Sequence, residues 1–224
     1  MKNLVKGVVE FRKAASKEAK ELFAKLALGQ RPDALFITCS DSRVAANVFA
    51  STNPGDVFVL RNIGNMIPGY GDDHHDHSAP AALEFSLFHL PITDIIVCGH
   101  SECGAMQAIA TKPSLDACPH LRSWLAHGQE APEKAKKIFG NHSSLSFVNQ
   151  VSQANVLLQL EHIASYPYVE KRLREKTLRL HGWWFDIAHA DVYCYDDEAR
   201  KFIILDEKIS AKILEQLTKN SHHH

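Results

Sequence analysis

Ala34-Leu35-Phe36-Ile37-Thr38-Cys39-Ser40-Asp41-Ser42-Arg43 is an apolar run that stops on a cysteine and then turns polar at once. Later in the chain, Asp94-Ile95-Ile96-Val97-Cys98-Gly99-His100-Ser101-Glu102-Cys103-Gly104 repeats the pattern. Short runs rich in β-branched and aromatic residues predict buried strands at 34–39 and 94–99, with another at 56–62. A helix is expected between the last two, over Ala79 to Leu90, and is ended by Pro91. Gly104 to Thr111 reads as a short helix closed by Lys112-Pro113, and Leu145, Val148, Val151, Asn155, Leu158 and His162 mark one face of a longer one. Leu178 to Ile187 and Val192 to Tyr195 alternate around Ala190-Asp191 as a hairpin, Phe202 to Leu205 adds a short strand, and Ser210 to Leu217 a last helix. Strands alternating with helices imply an α/β fold, with a mainly parallel central sheet flanked by helices and a late antiparallel addition.

The first 28 residues add an N-terminal helical arm, in which Leu22, Phe23 and Leu26 recur at helical spacing and Gly29 is the stop. Its apolar face must be buried on its own sheet or on a partner subunit. At 224 residues, with 45% hydrophobic and 23% charged content, one globular domain over 1–221 is expected. The closing His222-His223-His224 resembles the remnant of an expression tag and is set aside. A net charge of -1 gives no footprint for nucleic acid, and no apolar stretch is long enough for a membrane span. Met1 to Lys20 is charged throughout and lacks the apolar centre of a signal peptide. Five cysteines are an odd count for a disulfide scaffold, so a reducing, cytoplasmic location is expected, where paired cysteines more often hold metal.

Cys39, His100 and Cys103 bring two thiolates and an imidazole to the ends of two strands, where ligands sit in open α/β sheets. Such a Cys2His set suits zinc and leaves one tetrahedral position free, the mark of a catalytic site. Cys103 also starts a helix, where free N–H groups favour the thiolate. Two residues past a ligand, Asp41 can reach the metal or a water bound to it, and Arg43 can hold that carboxylate ionised in a bidentate pair. Cys98 and Cys194 read as buried small hydrophobes, and Cys118 has no ligand-like context.

Cys39-Ser40-Asp41-Ser42-Arg43, Pro54-Gly55-Asp56, Arg61-Asn62-Ile63-Gly64-Asn65, Gly99-His100-Ser101-Glu102-Cys103-Gly104-Ala105 and Leu180-His181-Gly182-Trp183 with Tyr195-Asp196 together resemble the β-class carbonic anhydrases, in their plant-type-like bacterial subgroup. The similarity spans roughly Leu22 to Leu205. The resemblance implies a lyase that reversibly hydrates carbon dioxide to bicarbonate and a proton through zinc-bound hydroxide, with one zinc ion per subunit on Cys39, His100 and Cys103 and with Asp41–Arg43 as the dyad. It places Gln30, Ser42, Phe58, Ile63, Phe85 and Gly104 at the substrate pocket, and it implies a homodimer or a multiple of dimers whose N-terminal helix wraps a neighbour.

Two departures stand out. Phe85 replaces a tyrosine frequent in plant-type members. In relatives switched off by bicarbonate, a second site uses a tryptophan, an arginine and a tyrosine; here Arg61 matches, while Phe36 and Phe185 stand in the other two places and cannot donate hydrogen bonds. Gly71 to His77 carries three histidines and three aspartates, read as a solvated polar loop rather than a second metal site or proton relay. The same ligands also serve carbon disulfide and carbonyl sulfide hydrolases, and a non-catalytic zinc protein is a further alternative, in which Asp41 would close the site.

Overall fold

The computed structural model describes residues 1–72, 77–140 and 143–221. Six strands, β1 (Ala34–Cys39), β2 (Val57–Asn62), β3 (Asp94–His100), β4 (Arg179–Asp186), β5 (Asp191–Asp196) and β6 (Lys201–Ile204), form one sheet in the order β2-β1-β3-β4-β5-β6. The first four are parallel and the last two antiparallel. The expected hairpin and third late strand are therefore present, and β3 runs one residue further than expected, through His100.

Ten helices accompany the sheet in the described residues: α1 (Lys2–Ala14), α2 (Lys17–Leu26), α3 (Ala46–Phe49), α4 (Ser78–His89), α5 (Gly104–Thr111), α6 (Pro119–Leu125), α7 (Ala131–Phe139), α8 (Phe147–Ala164), α9 (Pro167–Arg174) and α10 (Glu207–Ser221). The arm is two helices rather than one: the Ser16 hydroxyl accepts from the Ala19 N–H and starts α2 afresh. Sequence periodicity missed α6, α7 and α9. In α7 the buried positions are Ala131, Pro132 and Ala135, and in α9 only Val169, so neither shows a stripe of large apolar residues. Ser146 caps α8 at Asn149, which leaves Leu145 outside the helix.

Side chains alternate across β1 and β3. Leu35, Ile37, Ile95 and Val97 pack with Leu83, Val156, Ile163 and Val169 under α4, α8 and α9, whereas Phe36, Ile96 and Cys98 face Ala46, Phe49 and Phe185 on the other side. Both faces of the central strands are buried, which is why their sequences are continuous apolar runs. Each fully buried aliphatic side chain here contributes roughly 1.5–3 kcal/mol. Helix α8 lies against β3 at Gly99, where an added Cβ would come within 2.8 Å of Val156 Cγ2.

At the opposite end of the sheet from the two motifs, Asp94 of β3 is in register with Arg179 of β4. Its carboxylate accepts two bonds from that guanidinium, at 2.7 and 2.6 Å, and lies 2.8 Å from His181 Nε2. Burial pushes the Asp94 carboxyl up, but the bonds from His181, Arg179 and Thr93 outweigh it and hold the group well below the usual carboxylate range. A lowered folded-state pKa stabilises the fold above the unfolded value and loses that stabilisation as pH falls. Asp94→Asn should therefore cost about 2 kcal/mol near neutrality. In urea denaturation the gap to the parent should hold from about pH 7 to 5 and shrink below about pH 4, where the unfolded carboxyl also protonates. A gap that widens in acid would be incompatible with this account.

Candidate metal centre and active site

Parallel pairing delivers the site. Thr38 of β1 is paired with Cys98 of β3, so Cys39 and His100 emerge side by side at the carboxyl ends of adjacent strands. Cys103 follows as the residue that begins α5. The ligand atoms of Cys39, His100 and Cys103 lie within 4.8 Å of one another, and all three residues are buried.

The donor chemistry fits a cation. The backbone carbonyl of Ser101 can only accept, so the His100 Nδ1 that sits 2.9 Å from it carries the proton. The lone pair is then on Nε2, which is buried and has no hydrogen-bond partner among the described residues. Ionisation of one sulfur opposes ionisation of the other. The Cys103 thiol donates to Cys39 and, despite burial, brings Cys39 below the usual thiol range, helped by the N–H groups of Gly64 and Asp41. The Cys39 sulfur and burial in turn push Cys103 up, against the pull of the Met106 and Ala105 N–H groups at the start of α5. A divalent ion between them would let both ionise and would take the orphaned lone pair of His100.

Asp41 stands beside this group without joining it. Arg43 grips both carboxylate oxygens, Nε to Oδ1 at 3.0 Å and Nη2 to Oδ2 at 2.8 Å, and its own N–H adds a third bond to Oδ1. These bonds hold the Asp41 carboxyl well below the usual range despite some burial. Oδ2 remains 3.9 Å from His100 Nε2, too far for a hydrogen bond. Arg43 is itself anchored on the Glu102 carbonyl at 3.0 Å. Arg61 clamps the backbone of the first motif, giving two bonds to the Cys39 carbonyl and one to that of Asp41.

The expected pocket residues are spread more widely. Ser42 and Gly104 flank the metal group, next to Asp41 and Cys103, and both are exposed. Ile63, 45% exposed, lines a cavity of about 300 Å³ with Ser40, Asn62 and Trp124. Phe58 of β2 and Phe85 of α4 pack on each other with ring centroids 5.7 Å apart, but neither is among the residues lining that cavity. Gln30 is exposed in the segment after α2. Phe36, 3% exposed, is packed among Phe49, Trp183 and Phe185. Of the histidine- and aspartate-rich loop, residues 73–76 lie outside the described residues; Asp72 at its start reaches His127 Nδ1 at 3.0 Å.

Sequence reasoning missed Trp124, whose indole N–H donates to the Ile63 carbonyl at 2.7 Å. It also missed Asn149 and Ser152 of α8: the Ser152 hydroxyl donates to the His100 carbonyl at 2.7 Å, and the Asn149 amide oxygen accepts from the Glu102 N–H. Polar residues at helical spacing in an otherwise apolar segment were the available signal.

Comparison with known proteins bears on the same residues. The family model described as carbonic anhydrase matches residues 34–192. A carbonic anhydrase of Pseudomonas aeruginosa is 38% identical over 92% of this chain and 93% of its own length. The structure of the β-carbonic anhydrase CcaA superposes with a TM-score of 0.85 at 36% identity, covering 92% of each chain. One of two tetrameric β-carbonic anhydrases from the ascomycete Sordaria macrospora gives 0.73 at 27% identity, over 87% of this chain and 97% of that one. The match runs from the start of β1 into β5 and so takes in both strand ends that carry the thiols and the imidazole. The chain belongs to the carbonic anhydrase family and is an enzyme of its β class.

Proposed function

We propose that the chain catalyses the reversible hydration of carbon dioxide to bicarbonate and a proton, with one zinc ion per subunit held by Cys39, His100 and Cys103. The observation that carries this reading is the buried, unpartnered Nε2 of His100 facing two sulfurs, with Asp41 kept to one side by Arg43. Zinc in such a set supplies Lewis acidity, bringing the pKa of a water molecule toward neutrality.

The residues do the rest. Ionised Asp41 can only accept, so it takes the hydrogen bond of the attacking oxygen and turns that oxygen's lone pair toward carbon. Arg43 keeps Asp41 ionised and holds it apart from the three residues that would bind the ion, so that it is free to take a hydrogen bond from the attacking oxygen. Ile63, Phe58 and Phe85 offer apolar surface to carbon dioxide, which has no charge to anchor; Gln30, Ser42 and Gly104 complete the pocket in this reading. Among the described residues no fourth His, Cys, Asp or Glu joins the metal group, which disfavours a closed, purely structural site.

The arm points to the assembly. No residue of α1 or α2 is buried, and Leu4, Val8 and Phe11 are 72%, 69% and 59% exposed. We propose a homodimer or a multiple of dimers in which this face covers a second copy and helps to complete the pocket.

Asp41→Asn should lower kcat for carbon dioxide hydration by about 10²-fold. Zinc content measured in parallel should stay at the parent level; loss of zinc would instead make Asp41 a ligand. Cys39 and Cys103 bring thiolate charges that three imidazoles would not, so the nucleophile forms less readily than in a three-histidine site. Because its pKa is lowered, Asp41 stays ionised from weakly acid pH upward and adds no titration of its own there. Stopped-flow turnover should therefore climb from neutral to alkaline pH, disappear on chelation and return with zinc. With Phe36 packed among aromatic rings, no steep shut-down by bicarbonate is expected in the same assay. For the assembly, Val5→Asp combined with Val8→Asp should reduce the particle mass seen by light scattering, and activity should fall with it. An unchanged mass would show that the arm covers no second copy.

A further inference from the structure

Helix α8 runs through the core, yet Asn149, Ser152, Asn155 and Gln159 recur along it at spacings of three and four. Asn155 and Gln159 are fully buried. Two primary amides in such a place are costly unless their groups are paired. Gln159 Nε2 donates to the His127 carbonyl at 3.0 Å and to Asn155 Oδ1 at 2.9 Å, and its Oε1 accepts from the Ile67 N–H at 2.8 Å. Asn155 Nδ2 donates to the Gly64 carbonyl at 3.0 Å. Both amides therefore end on the segment from Ile63 to Ile67.

That segment is bent against ordinary backbone preference. Gly64 has φ +76° and Asn65 φ +49°. A Cβ on Gly64 would lie 2.8 Å from Met66 Cε and 3.0 Å from Ala105 Cβ, so no other residue fits the turn without displacement. In this conformation the Gly64 N–H points at Cys39 Sγ, 3.4 Å away. An N–H aimed at a thiolate draws off charge and fixes the direction of the sulfur lone pairs, and such outer contacts tune a metal site as the ligands do.

We propose that Asn155 and Gln159 are positioning residues for the metal centre, acting through the Gly64 turn on the Cys39 sulfur. The proposal rests on the reading of Cys39, His100 and Cys103 as metal ligands. A buried, paired amide chain polarises along its length and has one arrangement in which every member is satisfied. It therefore transmits a fixed orientation over the width of α8 to an atom that neither amide touches.

The test uses the full chain loaded with Co²⁺ or Zn²⁺. Asn155→Leu and Gln159→Met remove the bonds while keeping most of the volume, Asn155→Ser is the gentler change, and Ile163→Ala destabilises the same helix far from the centre. Two readouts are taken: the sulfur-to-cobalt charge-transfer band, and zinc affinity by competition with a chromophoric chelator. Asn155→Leu and Gln159→Met should each shift the band and weaken zinc binding by about 10–100-fold. Ile163→Ala should leave both at the parent values. An unchanged band and affinity in the folded amide variants would overturn the proposal. So would failure of all three amide variants to fold when Ile163→Ala folds, since the amides would then serve the fold alone. Absence of a thiolate band in the cobalt-loaded parent would count against the ligand assignment instead.

Discussion

Two sulfurs and an imidazole nitrogen meet on three buried side chains. Among the described residues the nitrogen has no partner, and ionising one sulfur opposes ionising the other, so a cation joining the group would relieve both. A chain does not gather such groups by packing alone, because each would be better solvated or differently paired elsewhere. Much of the surrounding structure is legible as the means of holding them there. The parallel register of β1 and β3 brings Cys39 beside His100, and the start of α5 sets Cys103 against both. Arg61 ties down the carbonyls of Cys39 and Asp41, so the loop leaving β1 cannot relax away from the centre.

Helix α8 is the second means. Its apolar residues fill the core between the sheet and α7, while its polar ones reach the backbone of the His100–Cys103 segment and of the turn whose Gly64 N–H points at Cys39: Ser152 the carbonyl of His100, Asn149 the N–H of Glu102, Asn155 the carbonyl of Gly64. One rigid element thus references both motifs to a common frame. The tightness of Gly99 under Val156 has the same origin, since a residue with a side chain there would lift the helix from the strand that ends in His100.

What could be read in the sequence followed from period and from chemistry at strand ends. The apolar runs of β1 and β3, the residue types that stop them and the Asp41–Arg43 spacing sufficed for the sheet and for the ligand cluster. The late hairpin showed in the alternation of β4 and β5. Short helices such as α7 were invisible because alanine and proline form their buried side. The polar stripe of α8 is hidden in the sequence because Asn155 and His162 fall on the same face as its apolar residues, and only three-dimensional pairing shows that its amides end on backbone. Trp124 was equally silent, since nothing in its neighbourhood predicts a bond to Ile63 from another part of the chain.

The two halves of the site differ in how completely a single chain makes them. Among the described residues, the candidate metal group is held from within the chain by Arg61, the Gly64 N–H, Ser152 and Asn149. The proposed substrate side is open: Ile63 and Phe85 are each 45% exposed, Gln30 lies out on the segment after α2, and the arm buries no residue of its own. In the proposed reading, a chain that fixes its ligands internally but leaves its apolar pocket residues uncovered would bind metal as a protomer and still need a second copy for a dry pocket. Dryness matters for a neutral substrate, because carbon dioxide competes with water for the same apolar surface and gains nothing from charge. On that argument metal loading and turnover depend on different parts of the molecule, the first on the β1–β3–α8 frame and the second on what covers Phe85, Ile63 and the arm.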